Sequence, residues 1–309
     1  MTRAPAGLVG LVVRVPGSTS NLGPGFDALG LALDIELRLD VARADDDALP
    51  GSVTWDFGDR AAPADNAIDL GFRALGTTGL EACPALIVRV ASDIPVKAGL
   101  GSSAAAIVAG LRLRQAIAGS LSRQRLLDAA AQLEGHPDNS SASILGGFVA
   151  ACLTSDGRVA AVTRPWPDDL RVVVATPECT VATTTARRVL PADVPLADAV
   201  ANVQRTAVLV QALAAGDRRW LREAFRDRLH QPYRAALVPG LEAALAFDHP
   251  SVWGVFLSGA GPSIAAIVDD EGRGVRGLFE ELYAGLGLQA AVRPIRVVQP
   301  FDDTLTRCP

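Results

Sequence analysis

Apolar positions along this chain fall into two periods, and they predict a mixed α and β protein. Short runs rich in Val, Ile and Leu predict strands at Val9–Val15, Leu29–Leu39, Val53–Phe57 and Ala85–Val90. Longer runs with helical spacing predict helices at Asn66–Leu75, Ser102–Ala118 and Ser122–Glu134, the last with Ser122 as its N-cap. Gly147–Leu153 and Val159–Thr163 read as a hairpin turning at Asp156 and Gly157. A proline-rich step, Pro165–Pro167, follows and is the expected boundary between two domains, 1–165 and 166–309. Beyond it the pattern predicts a strand at Arg171–Ala175, helices at Leu196–Ala215, Arg218–Leu229 and Leu241–Phe247, and strands at Val252–Leu257 and Ser263–Val268. A helix at Val275–Leu286 and a strand at Val292–Val298 complete a small α+β layer. No internal repeat interrupts this order.

Composition narrows the class. The 309 residues are 49% hydrophobic and 20% charged, as in an ordinary globular protein with a sizeable core. A net charge of −5 without a basic cluster argues against a nucleic-acid partner. The apolar run Leu8–Val13 is short and ends at Arg14, so it reads as a first strand and not as a signal peptide. Arg112 and Arg114 interrupt the alanine-rich segment Ala104–Ala118, which excludes it as a membrane span. Cys83, Cys152, Cys179 and Cys308 lack C-x-x-C spacing; they argue against a zinc site or disulfide scaffold and fit a reducing cytoplasm. The acidic stretch Asp45–Asp47 reads as a solvated loop.

The segment Ile94–Ala106, I-P-V-K-A-G-L-G-S-S-A-A-A, carries the strongest chemical signal. Gly99 and Gly101 permit a backbone conformation closed to other residues and a close approach to a ligand. Ser102 and Ser103 then open a helix, whose free N–H groups and positive dipole end suit a phosphate. The Walker pattern is absent, and a plain turn with a serine N-cap is the competing reading.

Five other segments add candidates. In P-G-S-T-S-N-L-G-P-G-F-D, Asn21 and Asp27 either make local side-chain turns or face a polar substrate. In E-G-H-P-D-N, Glu134 closes a helix at the wrong end of the dipole, a penalty that a nearby cation would remove. Glu134 is therefore the candidate Mg²⁺ ligand, with Ser102 or Ser103 supplying a hydroxyl and Asp128 as a weaker alternative. A-T-T-T-A-R-R and L-H-Q-P-Y-R contain Arg187 and Arg234, whose forks match a carboxylate. L-S-G-A-G-P-S, Leu257–Ser263, joins two strand-like runs without a helix start and reads as a tight turn at the mouth of the site.

Taken together, these segments resemble the GHMP small-molecule kinases across nearly the whole chain, and within them the homoserine kinases. The glycine-serine loop is common to the family, whereas N-L-G-P-G-F-D and G-H-P-D-N point to the homoserine branch. The resemblance implies an N-terminal α+β domain with a left-handed βαβ unit and a C-terminal ferredoxin-like α+β domain, with ATP and substrate meeting in the cleft between them. It implies that Pro95, Val96, Lys97, Ala98, Gly99, Leu100, Gly101, Ser102, Ser103, Ala104 and Ala105 cradle the ATP phosphates. Ser102 or Ser103 and Glu134 would hold Mg²⁺, while Asn21, Asp27, His136, Asn139, Thr183, Arg187 and Arg234 surround L-homoserine. By charge, the two arginines belong with its carboxylate and Asp27 with its ammonium group.

The chain departs from the family at two places: G-S-T-S precedes Asn21 in place of A-T-S-A, and S-S-A-S follows Asn139 in place of V-A-P-A or V-A-A-A. The second change predicts a more polar floor to the site. Mevalonate and galactose kinases place an aspartate where Asn139 stands. An amide takes no proton at neutral pH, so Asn139, with Asn21, is expected to orient the reacting hydroxyl without a strong base. Asp138 is the alternative base. The alternatives still open are a mevalonate- or shikimate-type kinase and a non-catalytic ATP-binding member. A homodimer is an expectation from the resemblance alone.

Overall fold

The computed structural model describes residues 8–301 except 46, 77, 78, 81, 82, 120 and 270. Cys308 and part of the Asp45–Asp47 stretch therefore lie outside the described residues. The first sheet contains β1 (Val12–Ser20), β2 (Leu29–Arg43), β3 (Val53–Asp56), β4 (Leu86–Ser92), β5 (Phe148–Leu153) and β6 (Val159–Arg164). Its order is β3-β4-β2-β5-β6, with β1 paired along β2. All pairs are antiparallel except β3–β4, which are parallel and connected through α1 (Ala67–Arg73). A parallel pair needs such a crossover because a tight turn cannot reverse the chain twice.

Three helices lie against this sheet and one another: α2 (Ser102–Ala118), α3 (Arg123–Glu134) and α4 (Asp138–Leu145). They explain the burial along β2. Leu29–Leu33 are buried on both faces, whereas the second half alternates, with Ile35, Leu37, Leu39 and Val41 turned inward. Ser122 caps α3 through a bond from the Arg125 N–H at 3.3 Å, as its spacing predicts.

The second sheet holds β7 (Arg171–Pro177), β8 (Val252–Leu257), β9 (Ile264–Val268) and β10 (Ala290–Ile295), all antiparallel, in the order β10-β7-β9-β8. Between β7 and β8 run α5 (Thr183–Arg188), α6 (Leu196–Ala215), α7 (Leu221–Ala224), α8 (Gln231–Arg234) and α9 (Leu241–Leu245); α10 (Arg273–Gly285) links β9 to β10. This succession is the β-α-β-β-α-β plan of a ferredoxin-like unit. Both faces of β7 are buried: Val172 and Val174 join the main core shared with the first sheet, while Val173 and Ala175 join a smaller core with Phe279 and Tyr283. Among the described residues, no helix is long and apolar enough to cross a membrane.

The short helices α5 and α8 were not in the periodicity reading, and four further elements differ from it. The first strand runs Val12–Ser20, not Val9–Val15, because a bulge between Pro16 and Gly17 carries the pairing past the proline. α4 has no apolar signature, since D-N-S-S-A-S-I-L is mostly polar; yet all eight residues are buried. The helix expected at Arg218–Leu229 is confined to Leu221–Ala224, because Asp227 accepts bonds from the N–H groups of Leu229, His230 and Gln231 and turns the chain. The last strand ends at Ile295, and the apolar run continues onto the first sheet. There the Asp34 N–H bonds Arg296 O at 2.9 Å, and the Val298 N–H bonds Ala32 O at 3.1 Å.

Candidate active site

A cleft of about 840 Å³ opens between the two sheets, and the segments singled out by sequence meet along it. Its middle is the turn leading into α2. Gly99 and Gly101 have φ of 77° and 71°, in the left-handed region. A Cβ on Gly99 would lie 2.2 Å from Ser258 O, and one on Gly101 2.2 Å from Ser18 Oγ. Side chains are thus excluded by both conformation and contact. Gly101, with no capping side chain, occupies the N-cap position, so the serine N-cap of the competing reading is not formed and the first N–H groups of α2 remain available.

The Leu257–Ser263 turn has the role its pattern suggested. Ser258 Oγ donates to Gly99 O at 2.6 Å, the Ser263 N–H bonds Ala98 O at 3.2 Å, and Asn21 Nδ2 donates to Gly259 O at 3.0 Å. It therefore joins the α2 turn to the end of β1. Ser103 Oγ lies on the first turn of α2 and donates to Glu134 Oε1 at 2.6 Å, closing 31 residues of sequence into one oxygen pair. Ser102 also lines the cleft. Asp128, by contrast, accepts from Gln124 Nε2 and the Val159 N–H and does not line the cleft, so the alternative ligand is a structural residue.

The end beyond Glu134 is polar and charged, lined by Asn21, Asp27, His136, Asn139, Thr183, Arg187 and Arg234. Asn21 has φ 72°, a conformation asparagine tolerates, and its Oδ1 accepts the Asp27 N–H at 3.0 Å. Asp27 receives both arms of Arg187, at 2.8 and 3.0 Å, so in the free protein these two residues neutralise each other. Arg234 is 2% exposed and donates to Ala186 O at 3.0 Å and Gly259 O at 3.2 Å. Both guanidinium groups approach the Phe26 ring, its centroid 5.6 Å from Arg187 Cζ and 5.2 Å from Arg234 Cζ. Its other neighbour is the buried ring of His230, stacked at 5.0 Å. His230 Nε2 donates to Gly23 O at 2.9 Å, which leaves Nδ1 bare to accept from Arg234 at 3.3 Å.

Asn139 sits at the start of α4 with its side chain already engaged. Its Oδ1 accepts from Ser18 Oγ and its Nδ2 donates to Ser20 Oγ, both at 2.9 Å. One Nδ2 hydrogen remains. Asp138 accepts the Asn139 N–H at 2.8 Å and bonds His136 Nδ1 at 2.5 Å. The serines after Asn139 do not form the floor expected for them, because Ser140, Ser141 and Ser143 are buried beneath the cleft and none lines it.

The electrostatics follow from this packing. Burial raises the Glu134 pKa, with the Ser103 hydrogen bond and the nearby His136 opposing. Burial also penalises charge on His136, but the hydrogen bond and charge of Asp138, with Asp27 and Glu134, outweigh it and raise the imidazole above 6.5. Asp138 loses hydration, yet bonding to His136, Asn139 and Ser20 holds it below 3.8. Burial and the Arg187 charge push Arg234 down to about 10, still cationic at neutral pH.

A raised histidine stabilises the fold below its unfolded pKa and loses that contribution as pH rises through its folded value; a depressed aspartate does the reverse. The His136–Asp138 pair therefore stabilises most between about 4 and 6.5, the ordinary values of its two groups. We expect Asp138→Asn to bring the His136 pKa back to 6.5 or lower in an NMR titration. The Tm difference from wild type should be largest in that window and shrink at higher pH. An unchanged His136 titration would refute the coupling.

Sequence reasoning missed the opposite end of the cleft, where Asn66, Leu70 and Arg73 of α1 form the wall. Asn66 caps α1 with bonds from the N–H groups of Ile68 and Asp69, a signal readable as an N-cap but not as a site. Phe26, within a quoted motif, had no role assigned, nor had His230, since only the fold stacks the two rings and brings both arginines to Phe26.

The family model for the GHMP kinases N terminal domain matches residues 64–147, and the model for the GHMP kinases C terminal domain matches residues 209–278. The homoserine kinase of Thermus thermophilus is 44% identical over 82% of this chain and 85% of its own. That of Prochlorococcus marinus is 36% identical over 94% of this chain and 93% of its own. The crystal structure of homoserine kinase from Cytophaga hutchinsonii matches with a TM-score of 0.80 at 27% identity, covering 94% of this chain and 95% of that one. Galactokinase from Lactococcus lactis shares the fold, with a TM-score of 0.68 at 15% identity over 93% of this chain and 94% of its own. With its two-sheet architecture, its glycine-serine turn and these relatives, the chain belongs to the GHMP kinase family, among its homoserine kinases.

Proposed function

We propose that this protein transfers the γ-phosphoryl group of ATP to the side-chain hydroxyl of L-homoserine, giving O-phospho-L-homoserine and ADP, a step of threonine biosynthesis. The observation that carries this reading is the order of chemistry along one cleft. Free N–H groups at the start of α2 and the Ser103–Glu134 oxygen pair lie in the middle; an Asp27–Arg187–Arg234 pocket lies at one end and the α1 wall at the other. The triphosphate fits the middle, the nucleoside the α1 end, and an amino acid the charged end. The names of the relatives point to the same substrate.

Homoserine carries both an ammonium and a carboxylate group, matching the two signs present. Entry of the zwitterion exchanges partners: its ammonium group takes Asp27, and its carboxylate takes Arg187 with Arg234. The Asp27–Arg187 pair, whose side chains are only half-buried, is thus a placeholder that keeps the two charges neutralised until the substrate enters. Ser103 and Glu134 offer the hard oxygen donors that Mg²⁺ prefers, so they would hold it together with phosphate oxygens and water. When bound, the ion neutralises charge on the phosphates. Asn139, fixed by Ser18 and Ser20, directs its remaining N–H at the acceptor hydroxyl, and Asn21 fixes the loop bearing Asp27. The hydroxyl oxygen bonds the γ-phosphorus as the bond to ADP breaks, and the proton leaves to phosphate or water. Asp138 is committed to His136 and the Asn139 N–H, which disfavours it as a base. The division into units 1–165 and 166–309, with the tail after Ile295 returning to the first sheet, and a cytoplasmic location belong to this same reading.

A coupled ADP-release assay with homoserine, mevalonate, shikimate and galactose tests it. Mg²⁺-dependent release with homoserine alone is the expected result; release with another acceptor, or with none, would reject it.

A further inference from the structure

Behind the charged end of the cleft lies a fully buried imidazole that the roles above leave unused. His230 precedes α8, stacks on Phe26, and has both ring nitrogens engaged. Gly23 O, 2.9 Å from Nε2, can only accept, and the Arg234 guanidinium, 3.3 Å from Nδ1, can only donate. Together they specify the neutral tautomer with its proton on Nε2. Burial lowers the His230 pKa and favours this uncharged ring. The Arg234 charge adds to the shift, while Asp27 and Asp227, whose Oδ2 lies 3.6 Å from Nε2, oppose it.

The same contact decides which donors Arg234 can offer. Its Nε hydrogen goes to Ala186 O, and the two Nη1 hydrogens go to Gly259 O and His230 Nδ1. Both Nη2 hydrogens are left without a partner among the described residues, on a side chain that lines the cleft. Gly23, in turn, belongs to the loop that carries Phe26 and Asp27. The next carbonyl of that loop, Pro24 O, accepts from Asn202 Nδ2 and Thr206 Oγ1 of α6, each at 3.0 Å. The loop leaving β1 is therefore held by residues that follow β7, and His230 bonds both the loop and Arg234.

We infer that His230 is a positioning residue for the substrate's amino-acid group: its two ring nitrogens lock Arg234 to the Gly23–Asp27 loop, presenting the Nη2 hydrogens to the carboxylate at a set distance from the aspartate that takes the ammonium group. This inference deepens, and rests on, the reading of this end of the cleft as the amino-acid pocket. A loosely mounted anchor would have to be ordered as the substrate binds, at a cost in affinity.

Two replacements separate the nitrogens, because a glutamine amide can stand at the Nε2 position and an asparagine amide at Nδ1. His230→Gln keeps a donor for Gly23 O and loses the acceptor for Arg234. It is expected to raise KM for homoserine about tenfold, with kcat and KM for ATP within about twofold. His230→Asn keeps that acceptor and is expected to raise KM by only about threefold. Placed on Arg234→Ala, His230→Gln should add less than about a twofold loss, since the contact it serves is already gone. A residue that merely filled the core would give the same loss in both backgrounds. The tautomer is read without mutation. The chain has three histidines, so a proton–nitrogen spectrum of the full-length protein resolves each ring, and His230 should show a bare Nδ1 and a protonated Nε2 at neutral pH.

An unchanged KM for homoserine in His230→Gln, an undiminished loss on Arg234→Ala, or a protonated Nδ1 in the wild type would overturn the proposal while homoserine phosphorylation stands. Calorimetric titration with homoserine decides it even if no acceptor is turned over. Weaker binding to His230→Gln than to the wild type then supports the positioning role and rejects the kinase reading alone; equal binding overturns the positioning role, and no binding to the wild type rejects both.

Discussion

Glu134→Ala is expected to lower kcat by about 10²–10³-fold, the usual loss when one preorganised electrostatic stabiliser is removed from a reacting centre. The carboxylate sits at the last residue of α3, 2.6 Å from Ser103 Oγ, where on the proposed reading the two together would offer a cation its protein oxygens. Glu134→Gln keeps the size and loses the charge, so it should show a similar loss with the fold intact. ADP release measured across a Mg²⁺ series checks this. A Glu134→Gln enzyme with near-normal kcat and unchanged Mg²⁺ dependence would exclude the residue from the metal site. The pH dependence has a definite sign. Because burial raises the Glu134 pKa above 4.5, the acid limb of activity at low Mg²⁺ should lie above that of an exposed glutamate. Added Mg²⁺ should move it to lower pH by competing with the proton.

Arg234→Ala should lower kcat/KM for homoserine by about 10²–10³-fold, corresponding to roughly 3–4 kcal/mol, within the range for truncating one partner of a buried charge pair. Most of the loss belongs in KM for homoserine, since a carboxylate distant from the phosphorus is bound equally in ground and transition states. KM for ATP should change little. Arg234→Lys is not a conservative replacement here, because one ammonium group cannot take the place of Nε on Ala186 O and of Nη1 on both Gly259 O and His230 Nδ1. It should recover less than a tenth of the lost kcat/KM. Homoserine kinetics within about twofold of wild type in Arg234→Ala would place the substrate carboxylate elsewhere.

These two effects differ in how visible their causes are along the chain. Glu134 was legible as an acidic residue before a glycine stop, and α3 indeed ends there with Gly135 in the left-handed conformation. α2 and α6 were legible for the same reason: their apolar spacing and terminal glycines act within a few residues. The partner of Glu134 was narrowed only to Ser102 or Ser103. The choice depends on how α2 and α3 rotate against each other, which no local spacing encodes. Arg234 was one arginine among many. What sets it apart is burial, its two carbonyl acceptors and the Phe26–His230 stack, and each partner comes from a distant segment.

By itself, the sequence determined the glycine-rich turn into α2, most strands and helices, and the family to which the chain belongs. Each of these rests on interactions spanning a few residues, on period, or on motifs kept intact along the chain. The tertiary structure alone decided that Asp27 and Arg187 satisfy each other, that Asn139 is clamped between two β1 serines, and that α1 walls the far end of the cleft. It also decided that a polar octapeptide, Asp138–Leu145, becomes a buried helix. Buried polar groups must find partners, and those partners are chosen by how sheets and helices meet in space rather than by order in the chain.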